Sequence, residues 1–238
     1  MTQLNVPIRY YQDYEGGYDY AYEGLELSLE RTCFLLVDVD GGYSIRADGT
    51  PHPTTEQFIA PALAAARRVG MKVAYVHNDL RLVAGQGNRA QEFWSKSKLP
   101  PGSPPMGEGW SDPDFAPKYL DSVAPREGEP NFPKWMWSGF RDTFLNQRLR
   151  GWDIENLIVV GYSRRACMHY TCSEAVALNY RLVLLRDCSN PPGEIEMPDT
   201  LDDSLPEGGW VNRMMLRNFE HLLGYTSTSA EFVAACAG

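Results

Sequence analysis

The 238-residue chain has no apolar run of the length that a membrane-spanning helix requires. Its first seventeen residues are polar and rich in tyrosine, without the charged and then apolar pattern of a secretory signal. An excess of positive charge is also lacking, because the net formal charge is −9. Such a charge argues against nucleic acid or an anionic membrane as a partner. We therefore expect a cytoplasmic protein.

Metal-binding and nucleotide-binding motifs are lacking as well. The five cysteines are scattered without C-x-x-C spacing, which predicts free thiols in a reducing compartment rather than disulfides or a zinc site. The four histidines form no metal-binding motif, and no G-x-G-x-x-G or P-loop sequence occurs. We expect no metal and no cofactor.

Apolar runs typical of buried parallel strands alternate with segments of helical periodicity. This alternation predicts an α/β fold, with a mostly parallel central sheet between two helix layers. We expect one domain over residues 1–238, with an N-terminal extension at 1–30 and an insertion at 81–133 that is a lid or a surface excursion. The strands are predicted at 33–39, 71–76, 157–160 and 182–185, and the helices at 54–68, 138–150, 166–178 and 210–223.

Residues 157–170 (LIVVGYSRRACMHY) predict a buried strand, a tight turn and a helix that opens at Cys167. A thiol at a helix N-terminus feels the positive end of the helix dipole, which favours the nucleophilic thiolate. Cys167 is therefore a candidate nucleophile. The alternative is a small buried apolar residue, which is the commoner role of a free cysteine.

Two charged residues are expected near this cysteine. Asp38 lies at the end of the first predicted strand, and the carboxyl ends of parallel strands meet at one edge of the sheet. Lys134 could return to the same edge from the insertion. Asp38 would take the thiol proton, Lys134 would stabilise the charges, and Cys167 would attack a carbonyl carbon. Backbone N–H groups of the turn would stabilise the oxyanion.

Three segments in this order resemble the isochorismatase-like cysteine hydrolase superfamily, which includes nicotinamidases and N-carbamoylsarcosine, biuret and ureidoacrylate hydrolases. They are residues 31–43 (RTCFLLVDVDGGY), 134–140 (KWMWSGF) and 159–167 (VVGYSRRAC). The resemblance implies a three-layer α/β/α fold and a catalytic triad of Asp38, Lys134 and Cys167. It also implies an oxyanion hole from the N–H groups of Ser163 and Cys167, a cis peptide bond before Ser163, and a homo-oligomer (dimer or tetramer).

The sequence departs from the family pattern at three positions. Asp40 replaces the usual glutamine, and Tyr162 and Arg164 replace a valine and a threonine of the turn. Asp40 would attract a cationic or N–H-rich substrate or lie on the surface as an outward acid, and Arg164 would clamp a substrate carboxylate or pair at a subunit interface. The residues expected to line the substrate pocket are Asp40, Tyr43, Trp135, Tyr162 and Arg164.

The predicted function is hydrolysis of a C–N bond in a small amide, ureido or carbamoyl compound through a covalent thioester. Two alternatives remain open at this point. Residues 37–41 (VDVDG) also resemble the start of a magnesium-dependent phosphatase of the haloacid-dehalogenase type, with Asp38 as nucleophile and Asp40 as acid and base. A non-catalytic binding member of the superfamily is the other alternative.

Overall fold

The computed structural model describes residues 2–45, 49–83, 89–94, 96, 114, 116–189 and 210–238. Eight strands form a single sheet in the order β2-β1-β8-β7-β6-β3-β4-β5. The strands are β1 Gln3–Tyr14, β2 Gly17–Ser28, β3 Thr32–Val37, β4 Lys72–Asn78, β5 Asn131–Lys134, β6 Asn156–Gly161, β7 Arg181–Leu185 and β8 Tyr225–Ser227. Strands β3 to β8 run parallel, and only the pairings of β1 with β2 and with β8 are antiparallel. The predicted mostly parallel sheet is confirmed.

Helices cover both faces of this sheet. They are α1 Gly41–Ser44, α2 Ala60–Arg68, α3 Arg89–Trp94, α4 Leu145–Gly151, α5 Cys167–Ala177, α6 Trp210–Leu222 and α7 Ser229–Ala235. One apolar core includes buried residues of α2, α7 and the β1–β2 hairpin, and the other includes residues of α4, α5 and α6. Every residue of β3 and β6 is buried, as expected for central strands covered on both faces. None of the described helices is both long and apolar enough to cross a membrane.

The N-terminal segment is an antiparallel hairpin that extends the sheet. Its first strand alternates between exposed and buried positions, which places Leu4, Val6 and Ile8 in the core. Arg9 pairs with Thr226 of β8 in the sheet register, and Ser227 Oγ donates to the Pro7 carbonyl at 2.6 Å. The segment expected as an extension is therefore a regular part of the sheet.

The helix expected from Ser138 to Arg150 is wrong in its first half, because α4 begins at Leu145. Tertiary hydrogen bonds hold the preceding residues in a different conformation. The Gly139 N–H donates to Thr171 Oγ1 of α5 at 2.9 Å, and Thr143 Oγ1 donates to the Gly139 carbonyl at 2.6 Å. Phe144, in the middle of the expected helix, is 75% exposed.

The described parts of the insertion include α3 and residues 116–130, and β5 begins at Asn131, inside the expected range. The Lys118 carbonyl accepts a hydrogen bond from the Gly41 N–H at 2.5 Å, so this part of the insertion packs beside α1. The lid prediction falls mostly on residues outside the described ranges.

Candidate active site

Four polar side chains come together at the carboxyl edge of the sheet. Asp38 directly follows β3, Asn78 and Lys134 end the paired strands β4 and β5, and Cys167 is the first residue of α5. Asn78 and Lys134 are register partners, which places these two residues side by side. The sheet thus brings together the three residues of the predicted triad and adds an asparagine.

The Lys134 ammonium group lies at the centre of this cluster. Its Nζ lies 3.0 Å from Asp38 Oδ2, and both side chains are fully buried. The same nitrogen donates to Asn78 Oδ1 at 2.5 Å and to Cys167 Sγ at 3.3 Å. Burial alone would lower the pKa of Lys134, but the Asp38 carboxylate and the Cys167 sulfur raise it above the ordinary value. Lys134 is therefore a cation at neutral pH.

The Cys167 thiol is buried, with 2% of the residue exposed. Burial raises the pKa of Cys167, the nearby Asp38 carboxylate raises it further, and the Lys134 ammonium lowers it only in part. Burial and the neighbouring carboxylate thus favour the neutral thiol, opposite in direction to the effect expected of the helix N-terminus. Attack by sulfur then requires transfer of the thiol proton to a base.

The turn before Cys167 has the backbone geometry of the expected elbow. The peptide bond between Tyr162 and Ser163 is cis, as the resemblance implies. Gly161 has φ of 122°, and a Cβ at this position would lie 1.9 Å from the Val37 carbonyl oxygen. Only glycine fits so close to β3. Among the described residues, no backbone acceptor takes the N–H of Ser163 or of Cys167.

Two of the predicted substrate-binding side chains contact the protein interior. The Tyr162 ring packs in the core beside α2, and its hydroxyl lies 2.8 Å from Thr55 Oγ1. Arg164 is 4% exposed. Its guanidinium donates to Ser189 Oγ and to the carbonyls of Arg186 and Asn212. These contacts direct the Arg164 nitrogens towards β7 and α6, and the carboxylate clamp stays a prediction.

The other predicted pocket residues have different surroundings. Asp40 is 2% exposed, so it is not the outward surface acid of the alternative interpretation. The Trp135 side chain is half-buried and donates from Nε1 to Asp142 Oδ2 at 3.3 Å. Tyr43 lies in α1, and its side chain is outside the described part of the structure.

The sequence reasoning missed Asn78 and a chain of side chains beside it. His77 Nδ1 lies 2.7 Å from Asn131 Oδ1, and Asn131 Nδ2 donates to the Tyr119 hydroxyl at 2.9 Å. Burial lowers the pKa of His77, so the imidazole is neutral at pH 7. The signal in the sequence is the polar dipeptide His77-Asn78 at the end of a buried strand.

Three buried polar atoms of the catalytic cluster have no hydrogen-bond partner among the described residues: Asp38 Oδ1, Asp38 Oδ2 and Asn78 Nδ2. Asp38 Oδ2 forms the ion pair with Lys134, so Asp38 Oδ1 is the acceptor and Asn78 Nδ2 the donor that the protein leaves without a contact. Within the same described ranges, no three His, Cys, Asp or Glu side chains are grouped as a metal ion would require. The site can therefore offer a proton acceptor, a thiol, a fixed cation and hydrogen-bond donors to a small polar molecule.

Comparisons with known proteins identify the family of the chain. The isochorismatase domain profile matches residues 32–194, more than half of the chain. The ureidoacrylate amidohydrolase of Azorhizobium caulinodans is 29% identical, over 90% of this chain and 94% of that protein. The corresponding enzyme of Stutzerimonas stutzeri is 28% identical, over 90% and 86%.

Solved structures with this fold include a cysteine hydrolase from Pseudomonas syringae pv. phaseolicola, with a TM-score of 0.65 and 20% identity over 89% of this chain and 94% of that chain. An N-carbamoylsarcosine amidase from Thermoplasma acidophilum has a TM-score of 0.57 and 17% identity, over 84% and 96%. At these identities, the structural likeness supports the fold alone, and the chemistry has to be argued from the residues of the site.

Proposed function

The chain belongs to the isochorismatase family, and from this membership we propose that it is a cysteine-dependent amidohydrolase. The substrate would be a small amide, ureido or carbamoyl compound, and the cleaved bond would be a non-peptide C–N bond. The relatives named as ureidoacrylate amidohydrolases and the structural neighbour named as a carbamoylsarcosine amidase support this class of reaction.

The observation that carries the proposal is the contact of one buried ammonium with both a carboxylate and a thiol. Lys134 Nζ lies 3.0 Å from Asp38 Oδ2 and 3.3 Å from Cys167 Sγ. A purely structural ion pair needs no thiol, and a buried packing cysteine needs no charged neighbours. Together the three groups provide a nucleophile, a base and a fixed positive charge.

The first half of the proposed reaction forms a thioester. The Cys167 thiol proton moves to Asp38 as the sulfur attacks the carbonyl carbon. Lys134 stabilises the negative charges on the Asp38 oxygens and on the Cys167 sulfur. The carbonyl oxygen becomes an oxyanion, which the free N–H groups of Ser163 and Cys167 would bind. Asp38 returns the proton to the departing nitrogen, the C–N bond breaks, and ammonia or an amine leaves.

The second half restores the enzyme. Water gives a proton to Asp38 and adds its oxygen to the thioester carbonyl carbon. The C–S bond then breaks, and the proton returns from Asp38 to the Cys167 sulfur. The products are a carboxylic or carbamic acid and the free thiol, so one water molecule is consumed for each bond cleaved.

The surroundings of Asp38 argue against the phosphatase alternative. That mechanism needs Asp38 as the nucleophile towards phosphorus, yet Asp38 Oδ2 lies against the Lys134 ammonium that also contacts Cys167. The phosphatase mechanism assigns no role to the thiol or to the turn before it. The amidohydrolase mechanism uses all of these groups.

The direct test is release of ammonia or amine from a panel of small amides, ureides and carbamoyl compounds, measured with and without EDTA. We expect at least one compound to be hydrolysed in the presence of EDTA. We expect Cys167→Ala to reduce that activity by about 10³-fold or more, as removal of a covalent nucleophile does in other enzymes. Full activity of Cys167→Ala, or hydrolysis of phosphate esters in place of amides, would reject the proposal.

A further inference from the structure

Among the described residues, only one of the two polar atoms of the Asn78 side-chain amide has a hydrogen-bond partner. Its Oδ1 accepts from Lys134 Nζ, whereas its Nδ2, bonded to the same carbon, has no partner among the described residues. The residue is 4% exposed, so bulk water does not readily satisfy this N–H donor. Buried donors without partners are rare in folded proteins, and a bound ligand is one common explanation.

The Lys134 hydrogen bond also fixes the orientation of the amide. Lys134 Nζ can only donate, so the oxygen of Asn78 must face it and the NH2 group must point elsewhere. Since Lys134 also contacts Asp38 and Cys167, Asn78 belongs to the same cluster of contacts as the reacting atoms. The orientation of Asn78 is therefore set by the catalytic cluster itself.

The order of the strands indicates which part of a substrate Asn78 would meet. Strands β6, β3 and β4 are neighbours in the sheet, about 4.8 Å apart. The oxyanion turn follows β6, Asp38 follows β3, and Asn78 ends β4. Asn78 thus lies on the side of Asp38 opposite the oxyanion turn. A substrate whose carbonyl oxygen binds at the turn would place its departing nitrogen beside Asp38. Asn78 would then lie next to the group that this nitrogen carries.

We propose that Asn78 is a substrate-binding residue whose Nδ2 donates to an oxygen atom carried on the departing nitrogen. This proposal depends on the proposed amidohydrolase function and extends it to a substrate class. Asp38 Oδ1 has no partner among the described residues and can accept a hydrogen bond from a substrate N–H group. Asn78 Nδ2 has no partner there either and can donate to a C=O group bonded to that substrate nitrogen. The site would prefer compounds in which a carbonyl or carboxyl group follows the nitrogen of the cleaved bond.

Acetylurea and ethylurea test this proposal, because they differ mainly in one carbonyl oxygen beside a ureido nitrogen. Asn78→Asp keeps an oxygen for Lys134 and removes the amide donor. We expect this variant to lower kcat/KM for acetylurea at least tenfold more than for ethylurea, mainly through KM. Comparing each variant with the wild type cancels the difference in intrinsic reactivity between the two compounds.

Asn131→Asp is the matched control. The Asn131 amide already has partners for both its oxygen and its nitrogen within the protein, His77 and Tyr119. We expect Asn131→Asp to leave the acetylurea-to-ethylurea ratio of kcat/KM within threefold of the wild-type ratio. Equal losses for the two compounds in Asn78→Asp would reduce Asn78 to a positioning residue for Lys134 and would overturn the proposal.

Binding to the Cys167→Ala protein separates this inference from the proposed function. Calorimetry should show tighter binding of acetylurea than of ethylurea, and the added Asn78→Asp change should weaken acetylurea at least tenfold. That result without turnover by the wild type would reject the amidohydrolase but keep the role of Asn78. The absence of any preference for acetylurea, in turnover and in binding alike, overturns the inference.

Discussion

A lysine ammonium has three protons, and Lys134 directs Nζ to three acceptors from different parts of the chain. These are Asp38 Oδ2, Asn78 Oδ1 and Cys167 Sγ. The contacts with Asn78 and Cys167 are hydrogen bonds and the contact with Asp38 is an ion pair, so three groups of the protein hold the buried cation. Taking such a cation out of water is costly, and the fully buried Asp38 carboxylate offsets that cost.

Removing the cation should leave the Asp38 carboxylate buried without a counter-charge. We expect Lys134→Met to lower the free energy of unfolding by about 3–5 kcal/mol, measured by urea denaturation, and to abolish hydrolysis. Lys118→Met is the control, because Lys118 is exposed and should change stability by less than about 0.5 kcal/mol. Equal stability of the two variants would contradict the assigned role of Lys134.

The protonation state of Cys167 gives a second test at this scale. Since burial and Asp38 raise the pKa of Cys167, the resting thiol keeps its proton at pH 7.5. We expect the ultraviolet thiolate absorbance of the wild type to equal that of Cys167→Ala at this pH, and to exceed it only at a pH above the ordinary pKa of a cysteine. An excess absorbance already at pH 7.5 would show a resting thiolate and would contradict this account.

The sequence supports some of these residues better than others. Asp38 and Cys167 could be proposed because they fall at a predicted strand end and a predicted helix start, where an α/β sheet gathers polar side chains. Lys134 could only be expected to return to that edge from the insertion, because its short strand β5 has no apolar run that predicts it. Asn78 was missed because an asparagine at a strand end has no distinctive spacing. For Arg164 the sequence left a substrate clamp and a subunit interface open, and the side chain leaves the turn on the interior side.

At the scale of elements, strand β6, the turn and helix α5 form one strand–turn–helix unit that positions the Cys167 thiol. The Tyr162 N–H donates to the Val37 carbonyl at 2.8 Å, which fixes the turn against β3. The Gly139 N–H bond to Thr171 fixes the segment after Lys134 against α5. The lysine and the cysteine are thus held in register by contacts outside the triad.

Within this strand–turn–helix unit, Gly161 is the residue that should tolerate substitution least. A Cβ there would lie 1.9 Å from the Val37 oxygen at a φ of 122°, so we expect Gly161→Ala to destabilise the fold by about 3 kcal/mol or more. Gly151→Ala in α4 is the matched control, with no atom within 4 Å of the added Cβ, and should be neutral or slightly stabilising. Thermal melts of the two variants compare them, and a stable, active Gly161→Ala protein would contradict the close approach.

Element predictions succeeded where local pattern and tertiary environment agree. Continuous apolar runs identify β3 and β6 because both of their faces are covered. The segment from Ser138 failed because its backbone hydrogen bonds go to Thr171 and Thr143, which periodicity does not report. The hairpin was missed although Leu4, Val6 and Ile8 alternate with exposed residues, since the tyrosine-rich strand that pairs with them is mostly exposed.

At the scale of the whole molecule, we propose that the N-terminal hairpin belongs to the same domain as the site. Arg9 Nε lies 2.8 Å from Glu220 Oε1 of α6, and the Glu220 side chain is fully buried. This ion pair and the buried residues Leu4, Val6, Ile8 and Leu27 join the hairpin to the core. Unfolding of the hairpin should therefore accompany global unfolding.

Breaking the ion pair tests this connection. We expect Arg9→Met to lower the free energy of unfolding by about 3 kcal/mol, because the Glu220 carboxylate loses its cation while Thr226 remains its hydrogen-bond donor. The double variant Arg9→Met/Glu220→Gln should recover most of that loss in urea melts. A loss of less than about 0.5 kcal/mol for Arg9→Met would show that the hairpin is held independently of α6.

The measurement that tests the central claim most directly is capture of the thioester on Cys167. A reaction with a hydrolysed amide or ureide is quenched in acid during turnover, digested, and mapped by mass spectrometry. We predict an acyl group on the peptide that contains Cys167, absent from Cys167→Ala, whose ammonia release should fall by about 10³-fold or more. Full turnover by Cys167→Ala, or turnover of the wild type with the acyl group on another residue, would contradict the account.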